Sequence, residues 1–206
     1  MADDSEITKA MVVNWALVEL GQPPSFSIDN ATSLGGVVDI FWPRAVARCF
    51  GLHDWTFNRK TFLLTRQSQT PITGYAYGFD LPGGRLGNPR KCLRQPRDRR
   101  PVRDIRYEQN TVFSDEPALY AVCGMRLAVE AWDWQFADAF AVALASFFAV
   151  PLLQDVDMQR DKEVLAFGHP REGGKGGRFG ALIGQDLASE PKGSPLLDDD
   201  PLTSAR

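Results

Sequence analysis

The residue types that most often carry chemistry are few in this chain, and their spacing does not suit it. The two histidines, His53 and His169, have no second metal-type ligand three or four residues away, which is the spacing that places two ligands on one helix face. The three cysteines, Cys49, Cys92 and Cys123, form no C-x-x-C pair, and an odd number does not suit a disulfide framework. The sequence therefore predicts free thiols in a reducing compartment, no metal site and no catalytic site.

A glycine-rich segment, Gly173-Gly174-Lys175-Gly176-Gly177, has the composition of a phosphate-binding loop but not its pattern. The Walker pattern needs a glycine six residues before the lysine and Ser or Thr directly after it. This chain has His169 and Gly176 at those positions. We therefore predict a flexible loop over residues 168–180 and no bound cofactor.

The strongest charge feature is the basic segment, residues 85–106, in which only Asp98 and Asp104 oppose nine basic side chains. The basic residues are Arg85, Arg90, Lys91, Arg94, Arg97, Arg99, Arg100, Arg103 and Arg106. Arginine binds carboxylates and phosphates equally well through paired hydrogen bonds, so both a protein interface and a contact with DNA phosphates remain open. Few aromatic residues interleave, which argues against base stacking. We favour a protein interface, formed by Arg94, Arg97, Arg99, Arg100 and Arg103.

Five segments have apolar residues at helical spacing and could position such a surface. They are residues 5–20, 34–50, 131–153, 155–167 and 179–187. In the first helix we expect a core-facing stripe of Ile7, Met11, Trp15 and Val18, with Gly21 at the C-terminal end. In the second helix we expect Pro43 to cause a kink or a break.

The stretch between these helices, about residues 70–128, is rich in glycine and proline and contains short runs of β-type residues. We predict strands at 75–79, 102–108, 111–114 and 119–125; residues 61–65 fit a helix or a strand. The predicted fold class is mainly α: a helical bundle with a small β insertion or extension and a flexible C-terminal tail. Residues 1–189 form a single domain, with helices in 5–66 and 131–189, and residues 190–206 form the tail.

Bulk properties exclude several classes of protein. The 206-residue chain has a formal net charge of −3 and a sequence pI near 5.4, which argues against a general nucleic-acid binder. The acidic N-terminus lacks the basic and apolar regions of a signal peptide. The longest apolar stretch is interrupted by Asp138, Ser146 and Pro151, so a buried core helix fits it better than a membrane span.

Several short motifs occur in an order that resembles the head-to-tail adaptors of short-tailed phages, the tail tubular protein A type. Trp55-Thr56-Phe57 looks like the W-x-F/W-N-F corner of that family. The segment 75–82 (YAYGFDLP), followed by Cys92-Leu93-Arg94, is similar to its Y-x-Y-x-Y-x-L-P and C-L-R motifs. Residues 133–153 resemble its D-x-x-F…A-L-A helix, and the stretch 202–206 resembles its S-x-x-x-x-R motif.

This resemblance implies a structural virion protein without enzymatic activity. It implies a ring of about twelve copies at the head-tail junction, around the DNA channel, with the portal and the tail tube or nozzle as partners and no membrane. The chain would be made in the host cytoplasm, and Leu202 and Arg206 would lie in a C-terminal segment that docks on the portal. The alternative is a tail-completion or DNA-packaging accessory protein that binds DNA through the basic segment. An enzyme is a third option, for which the sequence offers no set of residues.

Overall fold

The structure is a computed structural model that describes residues 6–27, 33–98, 100–173 and 176–189. Within these residues the chain forms five α-helices and seven strands in two antiparallel sheets. About 47% of the described residues are helical and 16% lie in strands. The protein is therefore mixed α/β, and the expected mainly helical fold class is wrong. The sheets enclose a hydrophobic core of their own, so they form a second packing unit, and the first strand already begins at Arg59.

The helices pack around a central one. They are α1 (Lys9–Glu19), α2 (Ser33–Gly51), α3 (Trp134–Phe148), α4 (Val156–Phe167) and α5 (Gly177–Ser189). All four other helices contact α3, which is buried on almost every side. Its sequence alternates phenylalanine with alanine, and the small alanines allow neighbouring helices to approach closely. Together with the following π-helical turn, α3 spans Trp134–Leu153, with a mean hydropathy of 2.0, and 67% of that window is buried in the protein. By length and composition alone this stretch could cross a membrane, but its burial is that of the predicted core helix.

The ends of α1 follow ordinary capping chemistry. The Thr8 side chain accepts a hydrogen bond from the Met11 N–H at 3.2 Å and caps the first turn. The expected cap, Ser5, lies outside the described residues. Gly21 has φ +69°, and its N–H donates to the Val18 carbonyl at 2.9 Å. The left-handed conformation favours glycine at this position, and the prediction that Gly21 ends the helix is confirmed.

The predicted core-facing stripe of α1 is only partly right: Ile7 is buried and Trp15 packs against the helical core. Val18 is 57% exposed, and Met11 and Trp15 are only half-buried. The buried residues of the helix are Val12, Val13, Ala16 and Leu17. Apolar residues cover more than one face of α1, so their spacing alone could not identify the face that meets α3.

Prolines affect α2 and α3 differently. Helix α2 runs unbroken through Pro43, so the expected break is absent. Beyond α3, the predicted single helix over 131–153 is divided: Val129–Ala131 is a 3₁₀ turn and Ala149–Leu153 is a π-helical turn containing Pro151. The Asp133 side chain caps α3 by accepting hydrogen bonds from the N–H groups of Gln135 and Phe136. A helix that began at residue 131 would lose this cap.

The strands form two antiparallel sheets. They are β1 (Arg59–Leu63), β2 (Thr65–Arg66), β3 (Tyr77–Asp80), β4 (Lys91–Leu93), β5 (Arg106–Glu108), β6 (Thr111–Ser114) and β7 (Tyr120–Gly124). The first sheet has the order β1-β7-β4 and the second has the order β2-β3-β6-β5. Only Leu64 separates β1 from β2, so one stretch of chain contributes to both sheets. The predicted strand 111–114 is confirmed, and Gln109 makes the preceding turn with φ +51°.

The two packing units meet at the corner 53–58, which links α2 to β1. Trp55 is 2% exposed in the helical core, and its indole N–H donates to the Cys49 carbonyl at 3.2 Å. Three residues later, the Asn58 carbonyl accepts from the Met125 N–H at 2.8 Å, beside the end of β7. The corner therefore fixes the sheets to the helices through both side-chain packing and backbone bonds.

Candidate functional site

The basic segment lies on the sheet region, and the structure divides its charge among several local partners. Arg94 Nε lies 2.7 Å from the Glu116 carboxylate, and an Arg106 guanidinium nitrogen lies 2.6 Å from Glu108. Arg90 Nε lies 3.4 Å from an Asp54 oxygen beside the corner. Arg85 donates to the Pro82 carbonyl and to the Asn110 side chain. The segment is therefore not a uniform positive surface.

Three of the five predicted interface arginines line one groove of about 680 Å³. They are Arg94, which directly follows β4, and Arg100 and Arg103, which lie in the connection to β5. Arg97 is exposed but does not line the groove. Arg99 lies outside the described residues, as do Leu202 and Arg206. The structure thus brings together part of the predicted set.

Three carboxylates also line this groove, and the sequence indicated only one of them, Asp104. Asp104 accepts a hydrogen bond from the Tyr75 hydroxyl at 3.0 Å, and Asp115 accepts from the Ala76 N–H at 2.8 Å. The bond to Asp104 raises the pKa of the Tyr75 hydroxyl. With Glu116, three carboxylates thus line the same groove as three arginines. The pair Asp115-Glu116 follows β6 directly, and its position after a predicted strand was the signal that could have revealed it.

A second polar cluster binds α5 to the corner. Both oxygens of Asp186 accept hydrogen bonds: Oδ2 lies 2.9 Å from His53 Nε2, and the Thr56 hydroxyl and N–H point at Oδ1. The His53 and Asp186 side chains are only 16% and 12% exposed. The sequence did not indicate this pair, because Asp186 lies 133 residues from His53. A cleft of about 230 Å³ lies beside this cluster.

The glycine-rich segment connects α4 to α5 tightly instead of forming the predicted loop throughout. The Gly176 N–H donates to the Phe167 carbonyl at 2.9 Å, and α5 already begins at Gly177. A Cβ on Gly177 would lie 2.5 Å from the Leu165 carbonyl oxygen, so a side chain does not fit there. Gly174 and Lys175 lie outside the described residues. The glycines that are described allow close backbone contact.

The thiols are poor candidates for chemistry. Cys49, Cys92 and Cys123 are all buried, and burial raises the pKa of each thiol. A thiol with a raised pKa holds less of the reactive thiolate at neutral pH. Across the described parts of the chain, no group of three or more His, Cys, Asp or Glu side chains could hold a metal ion. Among the described residues that line the groove and the cleft, there is no recognisable catalytic set.

Comparison with known proteins adds no relative. No family model matches the chain, and no curated protein matches it.

Proposed function

We propose that this protein is a structural virion protein, a head-to-tail adaptor that forms a ring between the portal and the tail around the DNA channel. The observation that carries the proposal is the ordered set of motifs, together with where they lie. Trp55 is buried in the corner, residues 77–80 form β3, one of the two inner strands of the second sheet, and Asp133 caps the central helix. The motifs that suggest the family thus lie in the corner, in the second sheet and at the start of the central helix.

A ring subunit needs two different faces, because its contacts are heterologous and close by rotation. The groove on the sheet region suits one of them. Both arginines and carboxylates line it, and such a surface favours a protein partner with complementary charges. A DNA backbone would meet repulsion from Asp104, Asp115 and Glu116. We therefore assign the groove to contact with a neighbouring copy or with the tail tube or nozzle protein.

The second candidate remains a tail-completion or DNA-packaging accessory protein. One observation favours it: Arg97 and Arg103 form no ion pair with any described residue, so both remain available to phosphates. If these side chains bind DNA, the affinity must fall steeply as salt concentration rises, because bound counterions are released. Contact with genomic DNA in the channel would also be compatible with the adaptor, but only as an addition to its protein contacts.

The decisive experiment is electron microscopy of the protein mixed with the portal encoded by the same genome. We expect class averages with a ring of about twelve copies seated on one end of the portal. A R100E/R103E variant should lose the ring, whereas K60E, which changes an exposed basic residue of β1 outside the groove, serves as the matched control. Two folded proteins that do not associate would contradict the adaptor. Salt-dependent binding to DNA in place of the portal would favour the second candidate.

A further inference from the structure

The seam between α3 and α5 carries an open groove with an exposed tryptophan. It has a volume of about 400 Å³ and is continuous with the cleft of about 230 Å³ beside the Asp186 cluster, because Gln135 and Leu182 line both. We call the two together the seam groove. Trp134 lines it and is 50% exposed, and the ring of Trp15 packs against the indole at a centroid distance of 6.1 Å. An indole surface held in this way is available to a partner.

The charged side chains of the seam groove are mostly acidic. Three carboxylates, those of Asp133, Asp138 and Asp186, line it against one guanidinium, that of Arg178. This arginine already binds Asp138 at 2.6 Å and lies 3.7 Å from a Glu19 oxygen, so its charge is shared between two acids. The lining therefore has a net negative charge, and a positively charged partner fits it best.

The basic segment of the same chain has the complementary chemistry. Arg97 and Arg103 are exposed and form no ion pair with any described residue. A guanidinium group donates paired hydrogen bonds to a carboxylate and also stacks on the face of tryptophan. The seam groove offers both groups, in Asp133 and Trp134. Both capping bonds of Asp133 go to Oδ1, so its Oδ2 has no donor among the described residues.

We propose that the seam groove binds the basic segment of a second copy of this chain, with Arg97 and Arg103 of that copy at Asp133 and Trp134. Every copy carries both surfaces, one on the sheet region and one on the helices, so the contact is heterologous and repeats from one copy to the next. Such a series of contacts makes a ring when its rotation closes. Closure at the portal rests on the proposed function, whereas the contact between two copies needs only this protein.

Charge reversal of each surface in the full-length protein tests this. Sedimentation velocity of the protein alone, at several concentrations and low salt, measures the dissociation constant of self-association. The variants R97E/R103E and Q135R/Q185R should each raise that constant at least about tenfold, because like charges then meet across the contact. Gln135 and Gln185 are exposed and line the groove, so their substitution removes no buried contact.

The matched controls place the same charges outside the contact. K60E reverses an exposed basic residue of β1, and A188R adds a cation at an exposed position of α5 outside the groove lining. Both should associate as the unmodified protein does, and circular dichroism should show the same helix content in all variants. A protein that stays monomeric at every concentration would overturn the proposal, and so would a Q135R/Q185R variant that associates as well as A188R.

Mixing the two variants tests whether one surface binds the other. R97E/R103E retains the groove and Q135R/Q185R retains the basic segment, so an equimolar mixture should form a one-to-one dimer that does not grow further. A chain with all four substitutions should associate again, because its charges are exchanged, and this recovery excludes misfolding. No dimer in the mixture, or no recovery in this chain, would overturn the proposal.

Imaging with the portal separates this contact from the adaptor function. A ring that Q135R/Q185R still forms on the portal would refute the contact and leave the adaptor intact. Self-association that follows the expected pattern in a protein that does not bind the portal would support the contact and contradict the adaptor.

Discussion

The helical region and the sheet region have cores of different chemistry. Around Phe136 the helical core is a network of aromatic rings, with centroid distances of 4.7 Å to Phe50, 5.0 Å to Phe57 and 5.3 Å to Trp55. The core of the sheets is smaller and mostly aliphatic, and it includes two thiols. Its aromatic pair, Tyr77 with Phe79, is 6.4 Å apart. The helical core thus depends on the orientation of its aromatic rings. The core of the sheets depends on the pairing of short strands around it.

The two regions therefore differ in what they contribute: the helices bury most of the aromatic side chains, and the sheets carry the charged groove. Aromatic side chains bury large areas and prefer defined ring geometries, so we expect the rings around α3 to supply most of the stability of the helical core. The strands are only two to five residues long, and the exposed surface around them carries the arginine and carboxylate groove. The sheet region, which has the smaller hydrophobic core, therefore carries the charged surface. Four experiments test whether the two cores differ in this way.

The largest effect is expected from Phe136→Ala. The side chain is 1% exposed, and its removal leaves a cavity at the centre of the ring network, which costs about 3–5 kcal/mol of unfolding free energy. Urea unfolding followed by circular dichroism measures the loss. The exposed neighbour Gln135→Ala, on the same helix, should change stability by less than about 0.5 kcal/mol. A loss for F136A no larger than that of the control would disprove the central role of the rings.

A smaller effect, confined to the sheets, is expected from Leu119→Ala. Leu119 is fully buried in the second core, and a buried leucine truncated to alanine costs about 2–5 kcal/mol, less where the surroundings can collapse. Amide exchange should become faster in β6 and β7 while α3 stays protected. Leu63→Ala, at a 62% exposed position of β1, is the control. Equal acceleration in α3 would mean that the two cores open as one unit.

We expect alkaline pH to lower the free energy of unfolding, because both cores contain thiol or phenol groups whose pKa values burial raises. Burial raises the pKa of the Cys49 thiol above its ordinary value of 9.0, so above pH 9 the unfolded thiol loses its proton while the folded one keeps it. The unfolded state then binds fewer protons, and stability falls by up to about 1.4 kcal/mol per pH unit for this group. Burial shifts the pKa values of Cys92, Cys123 and Tyr107 in the same direction.

Urea unfolding at pH 8.0, 9.5 and 10.5 measures this slope. The Cys49→Ala variant should lose the contribution of one group and retain that of the sheet core, although its stability at pH 8.0 is lower. A slope identical to that of the unmodified protein would refute the assignment to Cys49.

The smallest effect on stability is expected from Arg94→Ala. Its side chain is 64% exposed, and the ion pair with Glu116 is accessible to solvent, so the loss should be at most about 1 kcal/mol. A thermal melt measures it, with Lys91→Ala as a control on the neighbouring strand. If R94A lowers stability as much as L119A, the groove belongs to the framework of the sheet region and is not a free surface for a partner.

Local sequence signals predicted elements whose ends are fixed by their own residues. Asp155 caps α4 by accepting from the Met158 N–H, and the predicted bounds of that helix agree with the structure. The turn at Gln109, which precedes β6, falls in the gap between the predicted strands 102–108 and 111–114. The fold class was not, because short strands such as Lys91–Leu93 have too few residues for a pattern and form only when β7 pairs with them. Asp115 and Glu116 were not linked to the arginines because tertiary contacts bring them together, as in the pair of Arg94 with Glu116.

The sequence alone predicts the approximate extent of most helices, the end of α1 at Gly21 and the burial of α3, because apolar spacing and turn-forming residues act within a few positions. It also identified the arginines of the groove as exposed charges. Only the tertiary structure decided which face of α1 is buried, that the sheets have their own core, and that Asp186 binds His53 and Thr56. These depend on contacts between residues far apart in the chain, 133 positions in the case of His53 and Asp186, and the free energy of such contacts comes from packing that no local pattern shows.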